Sequence, residues 1–375
     1  MDRIGVGRVP PQAMIPGTCD VLVVGAGPAG AVAAHVLALG GLKTVLVDSV
    51  AADEPKVGES LPGAARAMLQ SAGLLPWLER SSPQTNIGNL SSWGSAPLIA
   101  TDFIFDPQGS GWHLDRARFD QCLREAAVQE GAILCEGRLR ALSSGLEGIQ
   151  ATIAGQQIVA RWVIDASGKS RAVARRMGAT RKRDSPLIAL YAWGKNRHPD
   201  TRSVVEAVAD GWWYTAGLPG GARVAALHVL PAQAATVLRH PNGFASAMFK
   251  STHIQHYCTI DDTWGSVQST DAAGSWLTQS HGSHWIAVGD ASIAFDPLSS
   301  QGLFNAIYTG LRGAQAVLSS VRTGNSHQLV QYGIRLKEIR EAYRHQLVEY
   351  YRQERRWHDL PFWRNRHSER PSSES

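Results

Sequence analysis

The chain's hydrophobic pattern starts with an apolar run, Val21-Leu22-Val23-Val24, that stops at Gly25-Ala26-Gly27-Pro28-Ala29-Gly30. An alanine-rich stretch to Gly40-Gly41 and a second apolar run, Val45-Leu46-Val47, closed by Asp48, follow. Short continuous apolar runs bounded by glycine predict buried strands, and the small-residue stretch between them predicts a helix. Strand, glycine turn, helix, strand and acid together read as a dinucleotide site. Gly25 permits the tight turn, Gly27 lets the backbone approach a pyrophosphate, and Gly30 lets the helix pack on the sheet. The helix N-terminus presents free N–H groups to phosphates, and Asp48 can accept ribose hydroxyls.

The rest of the pattern predicts a second architecture inserted into the first. After the polar loop Asp53-Glu54-Pro55-Lys56 and the turn Gly58-Glu59-Ser60-Leu61-Pro62, a helix is expected over 64–78. Strands are expected over 90–105, a helix from Arg116 with Phe119, Leu123 and Ala127 on one face, and strands at 131–134, 138–142, 151–158 and 162–165. The last ends at Asp165-Ala166-Ser167-Gly168, ahead of a helix over 172–177. Beyond Gly178 the composition changes. Trp193, Trp212, Trp213, Trp264 and Trp276 fall in an alternating region with two short helices, 232–238 and 244–250, which reads as a mixed or antiparallel sheet covering a pocket. At Trp285 the first style returns: a buried strand to Val288, Gly289-Asp290-Ala291, a loop Phe295 to Gly302, and a small-residue helix over 303–321. A final helix starts near Ser326 as N-cap, and the aromatic tail Trp357 to Trp363 is expected to dock. The fold class is therefore α/β, with a discontinuous Rossmann-like domain (17–85, 109–180 and 281–325), a substrate domain (86–108 and 181–280) and C-terminal helices (326–367). Segments 1–16 and 368–375 read as flexible.

Composition narrows the function little. At 375 residues the chain can bury a large core. The net charge of +5 fits a solvated basic surface, and no aromatic-basic or zinc-type spacing points to nucleic acid or metal. Cys19, Cys122, Cys135 and Cys258 form no CxxC and suit reduced, buried thiols in a cytoplasmic protein. No apolar run reaches membrane-spanning length, and the N-terminus has no signal-peptide core.

Several motifs together carry a family resemblance: the glycine turn, Gly58-Glu59-Ser60-x-Pro62, Arg116-x-x-Phe119-Asp120, Asp165-Ala166-Ser167-Gly168 and Gly289-Asp290-Ala291. The chain resembles the FAD-dependent monooxygenases of the aromatic hydroxylase type, and within them the tryptophan halogenase-like group. The resemblance implies the glutathione reductase type of FAD-binding domain. It implies cofactor contacts from Gly25, Gly27, Pro28, Ala29, Gly30, Asp48, Ser60, Leu61, Arg116, Leu139, Asp165, Gly289, Asp290, Pro297, Gln301, Gly302 and Leu303. The helix starting near Gly302 would aim its N–H groups at the flavin. Reduced flavin would then react with oxygen and pass one oxygen atom to an electron-rich ring. The electrons would come from external reduced flavin or NAD(P)H, and no second nucleotide fingerprint is present to choose between the two. Glu59, His113, Trp213 and Tyr214 are the candidates for catalysis.

Departures from the halogenase pattern sharpen the expectation. Halogenases of this group place a lysine after the Gly-Glu-x-x-Pro motif, where it handles hypohalous acid. Here no lysine stands between Lys56 and Lys169. Their glutamate before the flavin-facing helix is replaced in Leu298-Ser299-Ser300-Gln301, and their Trp-x-Trp-x-Ile-Pro motif by Trp212-Trp213-Tyr214-Thr215-Ala216-Gly217-Leu218-Pro219. Oxygen insertion is therefore expected over halogenation. The Phe295–Gly302 loop and the aromatic tail look similar to flavoproteins that hydroxylate a protein-bound tryptophan during tryptophylquinone maturation, which implies a tryptophan-bearing precursor protein as partner. The alternatives are a halogenase, a double-bond reductase of the prenyl reductase type, which would need an apolar lipid tunnel, and a flavin-bearing maturation chaperone.

Overall fold

The computed structural model describes residues 14–49, 56–145, 148–258, 261 and 263–369. Most of the two expected arms, 1–13 and 370–375, and the loop residues Asp53, Glu54 and Pro55 lie outside the described residues.

The first apolar run becomes a central strand, Thr18–Val24, because both its faces are covered. Val21, Leu22 and Val23 are completely buried, as parallel strands between two layers must be. It pairs in parallel with Thr44–Asp48 on one side and Gln156–Asp165 on the other. Ile133–Glu136 extends the sheet beyond Thr44–Asp48, and Trp285–Ala287 extends it beyond Gln156–Asp165. Helices Pro28–Leu39, Arg116–Gln129 and Gly302–Thr323 cover one face. The antiparallel strands Leu139–Gly145 and Gly148–Ile153, with Val173 and Ala174, contribute to the core of the other. The chain leaves this sheet and returns to it, so the parallel strand ends on one edge come from segments far apart in sequence.

The tryptophan-rich region forms a seven-stranded mixed sheet. Its order is Gln268–Asp271, Ile188–Lys195, Ala222–Val229, Gly211–Leu218, Ser203–Val208, Gly88–Ser92 and Ile99–Asp102. Every pairing is antiparallel except Ser203–Val208 with Gly88–Ser92. Alternation splits the side chains. Trp213, Leu190 and Leu227 pack behind, against Ala234, Phe244, Met248 and Ile254 of three short helices, Pro231–Arg239, Gly243–Phe249 and Ile254–Tyr257. Trp212, Tyr214, Ala226 and His228 face forward, into the space between the two sheets.

The long helix His327–Gln353 crosses the body, and the helix Pro361–His367 ends the described chain. Phe362 and Trp363 are fully buried. The Trp363 indole donates to the Val208 carbonyl at 2.9 Å and meets Trp93 edge-on at 5.4 Å. The aromatic tail is thus part of the core. No described helix is long and apolar enough to cross a membrane, and all four cysteines are buried thiols outside any disulfide among the described residues.

Several local expectations change. The helix expected over 64–78 is two, Ala65–Ser71 and Leu75–Arg80, because Gly73 breaks it at φ +71°. The strand expected over 151–158 is instead a hairpin turned at Ala154-Gly155, both at positive φ. Residues 172–177 form turns rather than a helix, and Phe103–Phe105 is a 3-10 turn rather than strand. Ser326 stands at the N-cap position, but its side chain makes no capping bond.

Candidate active site

A cavity of about 890 Å³ lies between the parallel strand ends and the forward face of the second sheet. Its floor starts at the glycine turn. Gly25 sits at φ +106°, and a Cβ there would stand 2.3 Å from the Ala166 carbonyl oxygen. A Cβ on Gly30 would reach 1.8 Å from the Gly25 carbonyl oxygen, so Gly30 lies behind the turn as a packing residue. Gly27 is different: a Cβ would meet nothing within 4 Å, because the residue opens on the cavity at the uncapped start of Pro28–Leu39. Pro28 and Ala29 line the cavity beside it. That bare helix N-terminus over open space fits a pyrophosphate. Asp48 closes the second strand and ties itself to the turn. Its Oδ2 accepts from the Ala26 N–H and its Oδ1 from the Ser49 N–H, both at 2.7 Å.

The loop 57–60 is riveted over this floor. Arg116 donates to the Val57 and Gly58 carbonyls at 3.1 and 3.0 Å and is held by Asp120 at 3.1 Å. Ser60 lines the cavity, whereas Leu61 points into the helical core below it. Leu139 lines the cavity near Asp48. Glu59 is buried, accepts from the Gly58 N–H at 2.9 Å and from the Trp193 indole at 3.4 Å. Burial pushes its carboxyl above the usual range, against its two backbone contacts and the Arg116 charge.

The opposite end is built by Gly289, Asp290, Pro297, Gly302 and Leu303, all lining the cavity. Gly302 opens the helix Gly302–Thr323, and a Cβ there would meet nothing within 4 Å. Burial raises the Asp290 carboxyl, while Lys169, Arg171 and Arg116 pull it back. This second bare helix N-terminus suits the electron-rich edge of a flavin ring. Gln301 is exposed at the N-cap, off the cavity.

Asp165 is a correction to the expected cofactor contacts. It is fully buried and off the cavity; Oδ1 accepts from the Ser167 N–H and hydroxyl, and Oδ2 from the Val173 and Ala174 N–H groups. The carboxylate holds the turn 166–174 together, and Ala166, Ser167, Gly168 and Lys169 are what the cavity meets. Two catalytic candidates move for a similar reason. His113 is fully buried in the strand Gly111–His113, off the cavity, and among the described residues neither ring nitrogen meets a partner in hydrogen-bond geometry, although the Gly217 backbone lies close. Burial, with the Arg223 charge, pushes its pKa down to about 4. Trp213 points to the rear of its sheet, edge-on to Phe244 at 5.0 Å. A one-residue step reverses the face, so Trp212 and Tyr214 hold the cavity positions.

Sequence reasoning missed His228, Tyr191, Asp296 and the paired lysines. His228 lies flat on Trp212 at 3.6 Å. The Trp212 indole donates to the Tyr351 hydroxyl at 3.2 Å, which donates to Asp296 at 2.9 Å, so the long helix fixes the cavity wall. Lys169 donates to the Asp271 carbonyl at 2.6 Å, and Lys56 meets Asp120 at 3.4 Å. The alternation Val224-Ala225-Ala226-Leu227-His228-Val229 places His228 on the face of Ala226, but its pairing with Trp212 on the neighbouring strand is set by the sheet.

A two-winged α/β architecture with an open glycine turn, an acid at the end of the second strand and a second helix N-terminus on one cavity is that of a dinucleotide-binding flavoprotein. The FAD binding domain family model matches residues 18–248, and the chain belongs to that family. It is a FAD-dependent oxidoreductase of the halogenase and aromatic hydroxylase type. The chain is 26% identical to the putative FAD-dependent oxidoreductase LodB of Marinomonas mediterranea, over 93% of this chain and 97% of that protein. It is also 26% identical to flavin-dependent halogenase armH3 of Armillaria mellea, over 88% and 73%. Among solved structures, the myxobacterial chondrochloren halogenase CndH superposes with a TM-score of 0.83 at 23% identity, covering 94% of this chain and 86% of that one. The peptidyl tryptophan dihydroxylase QhpG, essential for tryptophylquinone cofactor biogenesis, superposes with a TM-score of 0.75 at 24% identity, covering 93% and 78%.

Proposed function

We propose that this enzyme uses FAD to oxidise an electron-rich aromatic ring held against the forward face of the tryptophan-rich sheet. One observation carries the reading: a single cavity runs from Gly27 and Asp48 to the wall of Trp212, Tyr214 and His228. Bound FAD would supply the redox chemistry and, once reduced, the reaction with dioxygen. The chain's own residues would bind, orient and shield. Gly27, Pro28 and Ala29 would hold the pyrophosphate, Asp48 the ribose, and Asp290 with the Gly302 helix N-terminus the flavin end. Segments 17–85, 109–180 and 281–325 would form the FAD side, and 86–108 with 181–280 the substrate side. Glu59, buried beside Tyr214 and with a raised carboxyl, is the residue best placed to move a proton at the cavity wall.

Two outcomes for the ring have separate support. Halogenation is favoured by the relatives, since armH3 and CndH are named halogenases. Oxygen insertion is favoured by the side chains: both lysines of the cavity, Lys56 and Lys169, are engaged by Asp120 and by backbone carbonyls. LodB, aligned over 93% of this chain and 97% of its own length, is named a putative FAD-dependent oxidoreductase, which suits either outcome. A tryptophan-bearing precursor protein is the partner implied by the likeness to QhpG. Aerobic turnover of indole- and phenol-bearing compounds with reduced flavin, chloride, bromide and labelled dioxygen decides between them. Halogen mass means halogenation, and labelled oxygen mass means hydroxylation. A product lacking two hydrogens, with neither oxygen nor halogen added, would overturn both.

A further inference from the structure

The turn after Asp165 carries a cation to one end of the cavity. Arg171, fully buried, clamps that turn beside Asp290: its Nε donates to the Ala291 carbonyl at 3.1 Å and its Nη2 to the Ser275 hydroxyl at 2.8 Å. Lys169, in the same turn, lines the cavity and reaches across to the second sheet, where Nζ donates to the Asp271 and Ala273 carbonyls at 2.6 and 3.4 Å. An ammonium has three N–H donors, so one remains for the cavity. Burial draws the Lys169 pKa down, against the attraction of Asp290, Asp271 and Asp296. The other cations on the cavity are committed elsewhere. Arg116 and Lys56 pair with Asp120 at 3.1 and 3.4 Å. Arg138 stands between Gly137 and Leu139, at the Asp48 end. The Asp271 carboxylate is taken by Arg183 at 2.8 Å. Among the described residues Lys169 pairs with no carboxylate, and Asp290 and Asp296 belong to the segment that leads into the Gly302 helix. Its charge therefore stands at the end assigned to the flavin ring rather than at the pyrophosphate.

We propose that Lys169 tunes the cofactor: its free N–H and its positive charge face the flavin ring and favour the reduced, anionic form over the oxidised, neutral one. The proposal rests on the placement of the ring beside Gly302 given above. Reduction leaves negative charge on the ring. A fixed cation in a site screened from water stabilises that charge and does much less for the neutral ring. The N-terminus of the Gly302 helix acts in the same sense, so the two would add.

The test reads the midpoint potential of FAD bound to the full chain, measured without oxygen at equilibrium with a reference dye, together with the dissociation constants of oxidised and reduced FAD. Lys169→Met keeps the aliphatic stalk and removes the charge. It should loosen reduced FAD about tenfold relative to oxidised FAD, a fall of ~30 mV for a two-electron couple. Lys169→Gln, which can still donate to the Asp271 carbonyl, should lower the potential in the same direction. Lys169→Arg, which keeps the charge, should hold the potential of the unaltered protein. FAD content reports that each variant has folded. An unchanged potential in the neutral variants, or equal loosening of both oxidation states, would overturn the proposal. A fall in Lys169→Arg as large as in Lys169→Met would also overturn it, because packing and not charge would then be the cause. Gly302→Trp, which fills the start of the helix, tests the placement of the ring separately. Loss of FAD binding in that variant keeps the placement even where Lys169 fails, whereas undiminished binding would overturn the placement and the proposal with it.

Discussion

His113 shows at the scale of one residue what burial does to a titratable group. It sits where sequence alone suggested a base, yet its pKa falls to about 4 because a charged imidazole would lie in an apolar wall near Arg223. The unfolded chain holds a histidine near 6.5 and so binds the proton first as pH drops. Stability should therefore fall with pH between about 6.5 and about 4, by up to ~1.4 kcal/mol per pH unit from this group. His228 acts in the same sense over a window reaching to about 3. In His113→Leu the dependence measured by urea unfolding should be shallower by up to one proton. An unchanged slope would show that His113 carries the same protonation in the folded and unfolded chain. Glu59 and Tyr214 are the catalytic candidates that do reach the cavity, and Trp213 fails to do so by a single step along its strand.

At the scale of elements, the C-terminal helices are structural parts of the cavity wall. Tyr351 from His327–Gln353 links Trp212 to Asp296, and Trp363 from Pro361–His367 fills the space beside Trp93. Glu354 accepts from the Gly94 N–H at 2.9 Å, pinning the tail to the loop after Gly88–Ser92. Trp363→Ala should cost about 3–5 kcal/mol in urea-unfolding stability, as large aromatic deletions from cores do. It should also change the near-ultraviolet dichroism of the tryptophan cluster. A loss below about 1 kcal/mol would mean that the tail is not docked in solution.

For the whole molecule, the cavity joins two sheets whose strands interleave along the chain, so filling it should stabilise both together. Free FAD at about 100 times its dissociation constant should add ~2.7 kcal/mol and raise the melting temperature, whereas NAD should not. Denaturation of the purified holoprotein should release FAD. Gly27→Trp, which fills the open space at the glycine turn, should abolish the shift; an intact shift would move the pyrophosphate elsewhere. The sequence determined the parts of this protein that rest on local chemistry: the glycine turn, the acid at Asp48, the helix from Gly302 and the alternation of the second sheet. Those signals are local because a turn, a strand end or a helix N-terminus is specified by a few adjacent residues. Tertiary structure decided which side chains meet. It turned Asp165 inward as a cap, set Trp212 rather than Trp213 before the cavity, and stacked His228 on Trp212 across paired strands. The physical reason is register: strand pairing and sheet orientation are fixed by the burial of all strands at once, and no single segment contains that information.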